Sequence, residues 1–173
     1  MKKLILFISF ITLFNSCDSD DDNACQGIDC LPPITQNGAG TFGCLVNGEP
    51  FVDNSGNFNC FYQLVDGEYF FNISAQFESS IQGIGIGSLN ISIEESSSYS
   101  LVEVGSNNFS ADVFIDAQNN FETQSSNPGR IVVNKLDLNS NIVSATFEFT
   151  VTNSETGMIY QVTNGRFDTV FTR

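Results

Sequence analysis

The chain predicts an all-β fold, an antiparallel β-sandwich or partly closed β-barrel that ends in a four-strand meander. Three observations carry that expectation. Apolar and polar residues alternate at period two, Asn-Gly and Asp-Gly dipeptides punctuate the alternation, and no segment of the domain sustains a 3.6-residue apolar stripe.

The alternation is plainest in "NIVSATFEFTV", where Val143, Ala145, Phe147, Phe149 and Val151 are separated by Ser144, Thr146, Glu148 and Thr150. Side chains of a strand point alternately to its two faces, so this pattern buries one face and wets the other. "EYFFNISAQF" repeats it through Tyr69, Phe71, Ile73, Ala75 and Phe77. Asn47-Gly48, Asp66-Gly67 and Asn164-Gly165 each stand between extended apolar runs, and such pairs favour type I′ hairpin turns because both central residues need positive φ. Strands are therefore expected near 41–46, 49–53, 58–65, 68–77, 81–86, 89–94, 100–104 and 110–116, followed by the meander 130–136, 142–152, 158–163 and 166–172.

The N-terminus reads differently. Lys2 and Lys3 precede the apolar run Leu4 to Phe14, which has the length of an export signal rather than of a bilayer-spanning helix. "FNSC" resembles a lipobox, with Ser16 before the cleavage point and Cys17 as the lipidated first residue of the mature chain. Acyl chains at Cys17, each buried methylene contributing about 0.8 kcal/mol, would anchor the protein to a membrane. The expected organisation is thus a signal peptide 1–16, a lipidated flexible acidic tether 17–40, and an all-β domain 41–173.

Charge and cysteine usage narrow the function classes. The 173 residues carry a net charge of -14, and the mature part keeps only Arg130, Lys135, Arg166 and Arg173 against 20 acidic residues. That balance opposes nucleic acid, whose affinity rests on phosphate contacts, and opposes lying flat on anionic lipid. With Cys17 consumed by lipid, Cys25, Cys30, Cys44 and Cys60 remain, an even count suited to disulfides in an exported chain. The pairing expected is Cys25–Cys30 by proximity and Cys44–Cys60 by strand placement. The spacings contain no CxxC and the chain no His, so zinc is not expected.

Three passages carry a family resemblance: "LPPITQNGAGTFGCLVNGEPF", "GRIVVNKLDLNSNIVSATFEF" and "QVTNGRFDTVF". In this order they resemble a family of small Bacteroidota lipoproteins, seen mostly in flavobacteria, built on a domain of unknown function. The resemblance implies an all-β domain behind a lipidated tether and carries over no catalytic residue. It also bears on "SDDD", Ser19, Asp20, Asp21 and Asp22, which resembles the acidic signal that sends lipoproteins of this phylum to the cell surface. The implied location is the outer surface of the outer membrane, with the lipoprotein processing and export machinery as partners.

Sites of chemistry are few. Asp18, Asp20, Asp22 and Asp29 match some positions of a calcium loop, but Asn23 replaces its turn glycine, Asp29 its bidentate glutamate, and no entering helix precedes them. The absence of His removes His-based triads and His metal centres. Carboxylate pairs are left, Glu94 with Glu95 or Glu148 with Asp168; neighbours on a strand face opposite ways, which separates the first pair. No cofactor is expected. Asp168-Thr169-Val170 resembles an O-glycosylation sequon of the same phylum. The polar segments "EESSSYS", "GSNN" and "DAQNNFETQSSNPG" are candidate recognition loops. The resulting expectation is a surface lipoprotein whose non-catalytic domain binds an unknown glycan or protein ligand. The alternatives are a structural envelope component and a carboxylate-based hydrolase.

Overall fold

The computed structural model describes residues 25–53, 58–76, 81–117, 119–154 and 156–173. A 3-10 helix, Gly27–Cys30, leads into 11 strands: β1 (Thr41–Val46), β2 (Glu49–Val52), β3 (Asn59–Val65), β4 (Glu68–Gln76), β5 (Gly83–Leu89), β6 (Ser98–Val102), β7 (Asn108–Asp116), β8 (Asn119–Glu122), β9 (Gly129–Asp137), β10 (Ile142–Thr152) and β11 (Ile159–Val170). They form one sheet in the order β2-β1-β11-β10-β9-β6-β7-β5-β4-β3, with β8 paired to β7. The all-β expectation holds, in the form of a single curled sheet, a half-barrel, rather than two stacked layers.

Curling is visible in the rings it brings together. Phe167 on β11 and Phe71 on β4 stack with centroids 6.3 Å apart, although five strands lie between β11 and β4 along the sheet. The aromatic line continues from Phe167 to Phe42 at 6.4 Å and on to Phe147 at 5.4 Å. From Phe71 it runs to Phe109 at 6.2 Å and then Tyr99 at 4.7 Å. Rings at these spacings add specific edge and offset contacts to the area they bury. These phenylalanines are the inward positions of the period-two pattern, and Phe42, Phe71, Phe109, Phe147 and Phe167 are all buried.

The far edge of the sheet is met by the chain's end. Thr172 donates its N–H to the Cys60 carbonyl at 3.0 Å, and its own carbonyl accepts from the Tyr62 N–H at 2.9 Å. Phe171, 1% exposed, sets its ring edge-on to Tyr62 at 5.8 Å. The edge strand β3 thereby gains a partner just beyond β11, which removes part of an edge that would otherwise be unpaired.

Several local expectations need correction. Asn47-Gly48 and Asp66-Gly67 are the expected turns, with φ of 52° and 88° and of 51° and 86°. Asn164-Gly165 is not a turn. It lies inside β11, which is one strand where two were expected, so the C-terminal meander has three strands. Asn164 has φ 53°, and the register against β10 jumps from Phe147↔Gly165 to Phe149↔Val162: the dipeptide makes a bulge. The sheet is also mixed, because β6 runs parallel to β7 through Leu101↔Phe109 and Val102↔Ser110. Residues 89–94 form no strand beyond Leu89; the Ile93 N–H instead donates to the Tyr62 hydroxyl at 3.0 Å. Part of "DAQNNFETQSSNPG" is strand β8 rather than loop.

The segment before β1 is not a free spacer over the residues described. Leu31 is buried, a Cβ on Gly43 would collide with the Pro32 ring, and one on Gly38 would press on Val170 and Ile142. Residues 31–40 form a strap across the outer face of β1, β11 and β10. Composition alone gave this segment too little apolar surface to order itself; a buried carboxylate supplies what was missing. Thr35 Oγ1 donates to Asp168 Oδ2 at 2.7 Å. The backbone N–H groups of Asn37, Gly38 and Ala39 donate to the same carboxylate at 2.9, 2.8 and 3.2 Å. Gly38, at φ 76°, lets successive N–H groups converge on one anion as a nest.

Candidate functional site

Outside the core, the inverse of the period-two pattern decides what the sheet presents. On β5 the outward positions are Gly83, Gly85 and Gly87, while Ile84 and Ile86 point inward. Register places Gln76, Ser74 and Asn72 of β4 beside them, as Gln76↔Gly83, Ser74↔Gly85 and Asn72↔Gly87. On the other side stand Phe114, Asp112 and Ser110 of β7, as Gly83↔Phe114, Gly85↔Asp112 and Gly87↔Ser110. A row without side chains thus runs between two rows that carry them, about 9–10 Å apart across two strand spacings. Glycine inside a strand weakens it and commonly marks close approach of another group.

The result is a groove of about 350 Å³, lined by Asn72, Ser74, Gln76, Gln82, Asp112 and Phe114 over the glycine floor. Asp112 is the only charged side chain among the described residues lining it. Its carboxylate leans over Gly85, where any Cβ would collide with it. Burial, and after it the neighbouring Glu122 carboxylate, raise the Asp112 pKa above the usual range. Glu122 lies opposite Asp112 across the β7–β8 ladder. Oriented to satisfy its neighbours, the Asn120 amide donates to Asp112 Oδ2 at 2.9 Å and to the Val113 carbonyl at 3.3 Å.

Chemically the groove offers amide and hydroxyl donors and acceptors, one fixed carboxylate acceptor and one aromatic ring. That inventory matches hydroxyl-rich neutral ligands, whose groups both donate and accept. No cation stands among the described residues lining it, and the Asp112 carboxylate disfavours an anion.

The residues singled out from sequence are distributed otherwise. Cys17, Asp18 and Ser19 to Asp22 lie outside the described residues. Asp29 is exposed in the 3-10 helix. Cys25 and Cys30 are bonded. Cys44 and Cys60 are not bonded to each other: both are free thiols buried in the core. The expected link is absent: β3 pairs with β4 and β2 with β1, so no ladder sets Cys60 opposite Cys44. Burial raises both thiol pKa values, that of Cys60 to about 12.

The carboxylate pairs do not assemble. Glu95 is turned to Lys135, 3.5 Å away, and accepts from the Leu136 N–H at 3.0 Å, with Glu94 exposed beside it. Glu148 is exposed, whereas Asp168 is 1% exposed and saturated by the strap. In the sequon-like triplet Thr169 is buried as well, its hydroxyl donating to the Val170 carbonyl at 3.3 Å, so a glycan there would have to displace packed structure. Sequence reasoning missed the groove altogether. Its signal was available in "GIGIGS", an outward glycine at every second position.

No family model, curated protein or solved structure matches this chain.

Proposed function

We propose that the protein is a lipid-anchored lipoprotein of the outer-membrane surface, tethered through Cys17, whose β-domain is a non-catalytic module that binds a glycan. The glycine-floored groove of β4, β5 and β7 is the observation that carries the binding reading. An extended neutral oligosaccharide would lie along the floor, hydrogen-bonded by the Asn72, Ser74, Gln76 and Gln82 side chains, with Phe114 against a sugar face. Asp112 would accept from paired hydroxyls. The resemblance to Bacteroidota surface lipoproteins and the "SDDD" signal support the location.

The test is a glycan array probed with the full chain carrying Cys17→Ser, so that no lipid is attached. Neutral glycans should be retained and the signal lost on Asp112→Ala or Gly85→Val. Equal retention by both variants would end the groove reading and favour a structural envelope component. One observation favours a second reading, a carboxylate-based hydrolase: Asp112 has a raised pKa and a carboxylate neighbour in Glu122. New reducing ends after incubation with bound glycans, absent in Asp112→Asn, would replace the non-catalytic reading.

A further inference from the structure

A second hollow lies under the strap, on the outer face of β9, β10 and β11, with a volume of about 370 Å³. Ile28 and Ile34 of the N-terminal segment wall it on one side, and Val132 contributes from the sheet. Ile28 is held there because it belongs to the loop closed by the Cys25–Cys30 disulfide. The charged lining is Arg130, Glu148 and Arg166, one each from the three adjacent strands.

Two arginines in one hollow is an unusual use of charge here. The chain has 6 basic residues in all against 20 acidic ones. Among the described residues the one ion pair joins Lys135 to Glu95, and neither arginine pairs with a carboxylate. Arg130 and Glu148 face each other in the β9–β10 register and still make no ion pair. Both guanidiniums are instead steadied through Nε: Arg130 donates to Ser98 Oγ at 2.9 Å, and Arg166 to the Asn164 carbonyl at 3.2 Å. Arg166 Nη1 also donates to the strap, at the Pro32 carbonyl, 3.3 Å away. An arginine fixed by Nε presents its terminal nitrogens in a set direction, the arrangement that suits an oxyanion.

We propose that this hollow is a binding site for a small organic oxyanion, a carboxylate or a phosphonate-like group carried on an apolar body. The oxyanion sits between Arg130 and Arg166, and the apolar part lies against Ile28, Ile34 and Val132. Glu148 lowers the local positive charge, so a singly charged head group fits better than a multiply charged one. This site is separate from the glycine-floored groove, and its chemistry differs: cationic and part apolar against polar with a single carboxylate.

Calorimetric titration of the full Cys17→Ser chain with octanoate, octylphosphonate and octanol tests it. Octanoate and octylphosphonate should bind one per chain, octanoate the tighter, and octanol should not saturate. Arg130→Gln, at an exposed position, should weaken octanoate about tenfold or more with the melting temperature unchanged. Glu148→Gln should tighten octanoate about two- to fivefold. Rising ionic strength should weaken binding in the parent chain. Octanol binding as tightly as octanoate, no binding of either anion, or undiminished affinity in a folded Arg130→Gln variant would each overturn the proposal.

Discussion

The Thr35 hydroxyl donates to the Asp168 carboxylate at 2.7 Å across 133 positions of sequence, and this contact joins the strap to the sheet. Three backbone N–H groups share the carboxylate. Burial by itself would raise the Asp168 pKa, but the hydrogen bonds from Thr35, Asn37, Gly38 and Ala39 outweigh it and hold the carboxyl below its ordinary 3.8. A depressed folded value means that the unfolded chain binds the proton more readily. The stabilisation is therefore complete above the ordinary carboxyl range and is lost as pH falls through the lowered folded value. Asp168→Ala should cost about 3 kcal/mol at pH 7, since it orphans several donors. Urea denaturation should show the difference between the parent chain and Asp168→Asn shrinking in strong acid. A difference independent of pH would mean that Asp168 contributes only by packing.

The bulge at Asn164-Gly165 makes a sharper, two-sided prediction. Asn164 already holds φ 53°, which glycine adopts freely, so Asn164→Gly should shift stability by no more than about 0.5 kcal/mol. A Cβ on Gly165 would run into the Phe147 ring in the core, so Gly165→Ala should destabilise by about 1–3 kcal/mol. Thermal melts of the two variants check the contrast. Equal effects would remove the bulge geometry as the reason for the pair.

That pair also shows what the sequence could and could not disclose. Asn47-Gly48, Asp66-Gly67 and Asn164-Gly165 are locally alike, and two are turns because the chain reverses against its own next strand. At the third the chain runs straight on, because β1 and β10 pair with it on both sides of the dipeptide. Only tertiary register separates those outcomes. Inward phenylalanines were legible for the opposite reason: period two is a local property of each strand. Asp168 read only as a candidate partner of Glu148 and as part of the sequon-like triplet, since nothing near it in sequence announces a covering strap. Apart from the alternate glycines of β5, the two candidate sites were hidden for one reason. Ser74, Gly85 and Asp112 are brought together by ladder register, and Arg130, Glu148 and Arg166 likewise.

Cys44 and Cys60 are expected to behave as inert core side chains. Burial pushes both pKa values up, Cys60 to about 12, so neither forms thiolate at neutral pH. In the native protein at pH 8, Ellman's reagent should label neither; in guanidinium chloride it should label both. Peptide mapping without reductant should recover the Cys25–Cys30 link alone. A 44–60 cross-link, or rapid labelling of the native protein, would show that the core around these residues differs from the packing described.

The last prediction concerns how the half-barrel is held at β3. Phe171 fills space beside Tyr62, and Thr172 supplies β3 with two backbone hydrogen bonds. Phe171→Ala removes a fully buried ring and should cost about 3–5 kcal/mol. Deleting residues 172 and 173 keeps that ring but strips the two backbone hydrogen bonds, together with those from the Thr172 hydroxyl to the Cys60 carbonyl and from Arg173 to the Leu138 carbonyl. It should cost less, about 1–3 kcal/mol, and should concentrate its effect on β3. Hydrogen exchange separates the cases: the deletion should speed exchange of the Tyr62 amide, which loses its acceptor, while β9 and β10 amides keep their protection. If protection falls evenly across all strands, β3 is not a separate edge, and the sheet opens only as a whole.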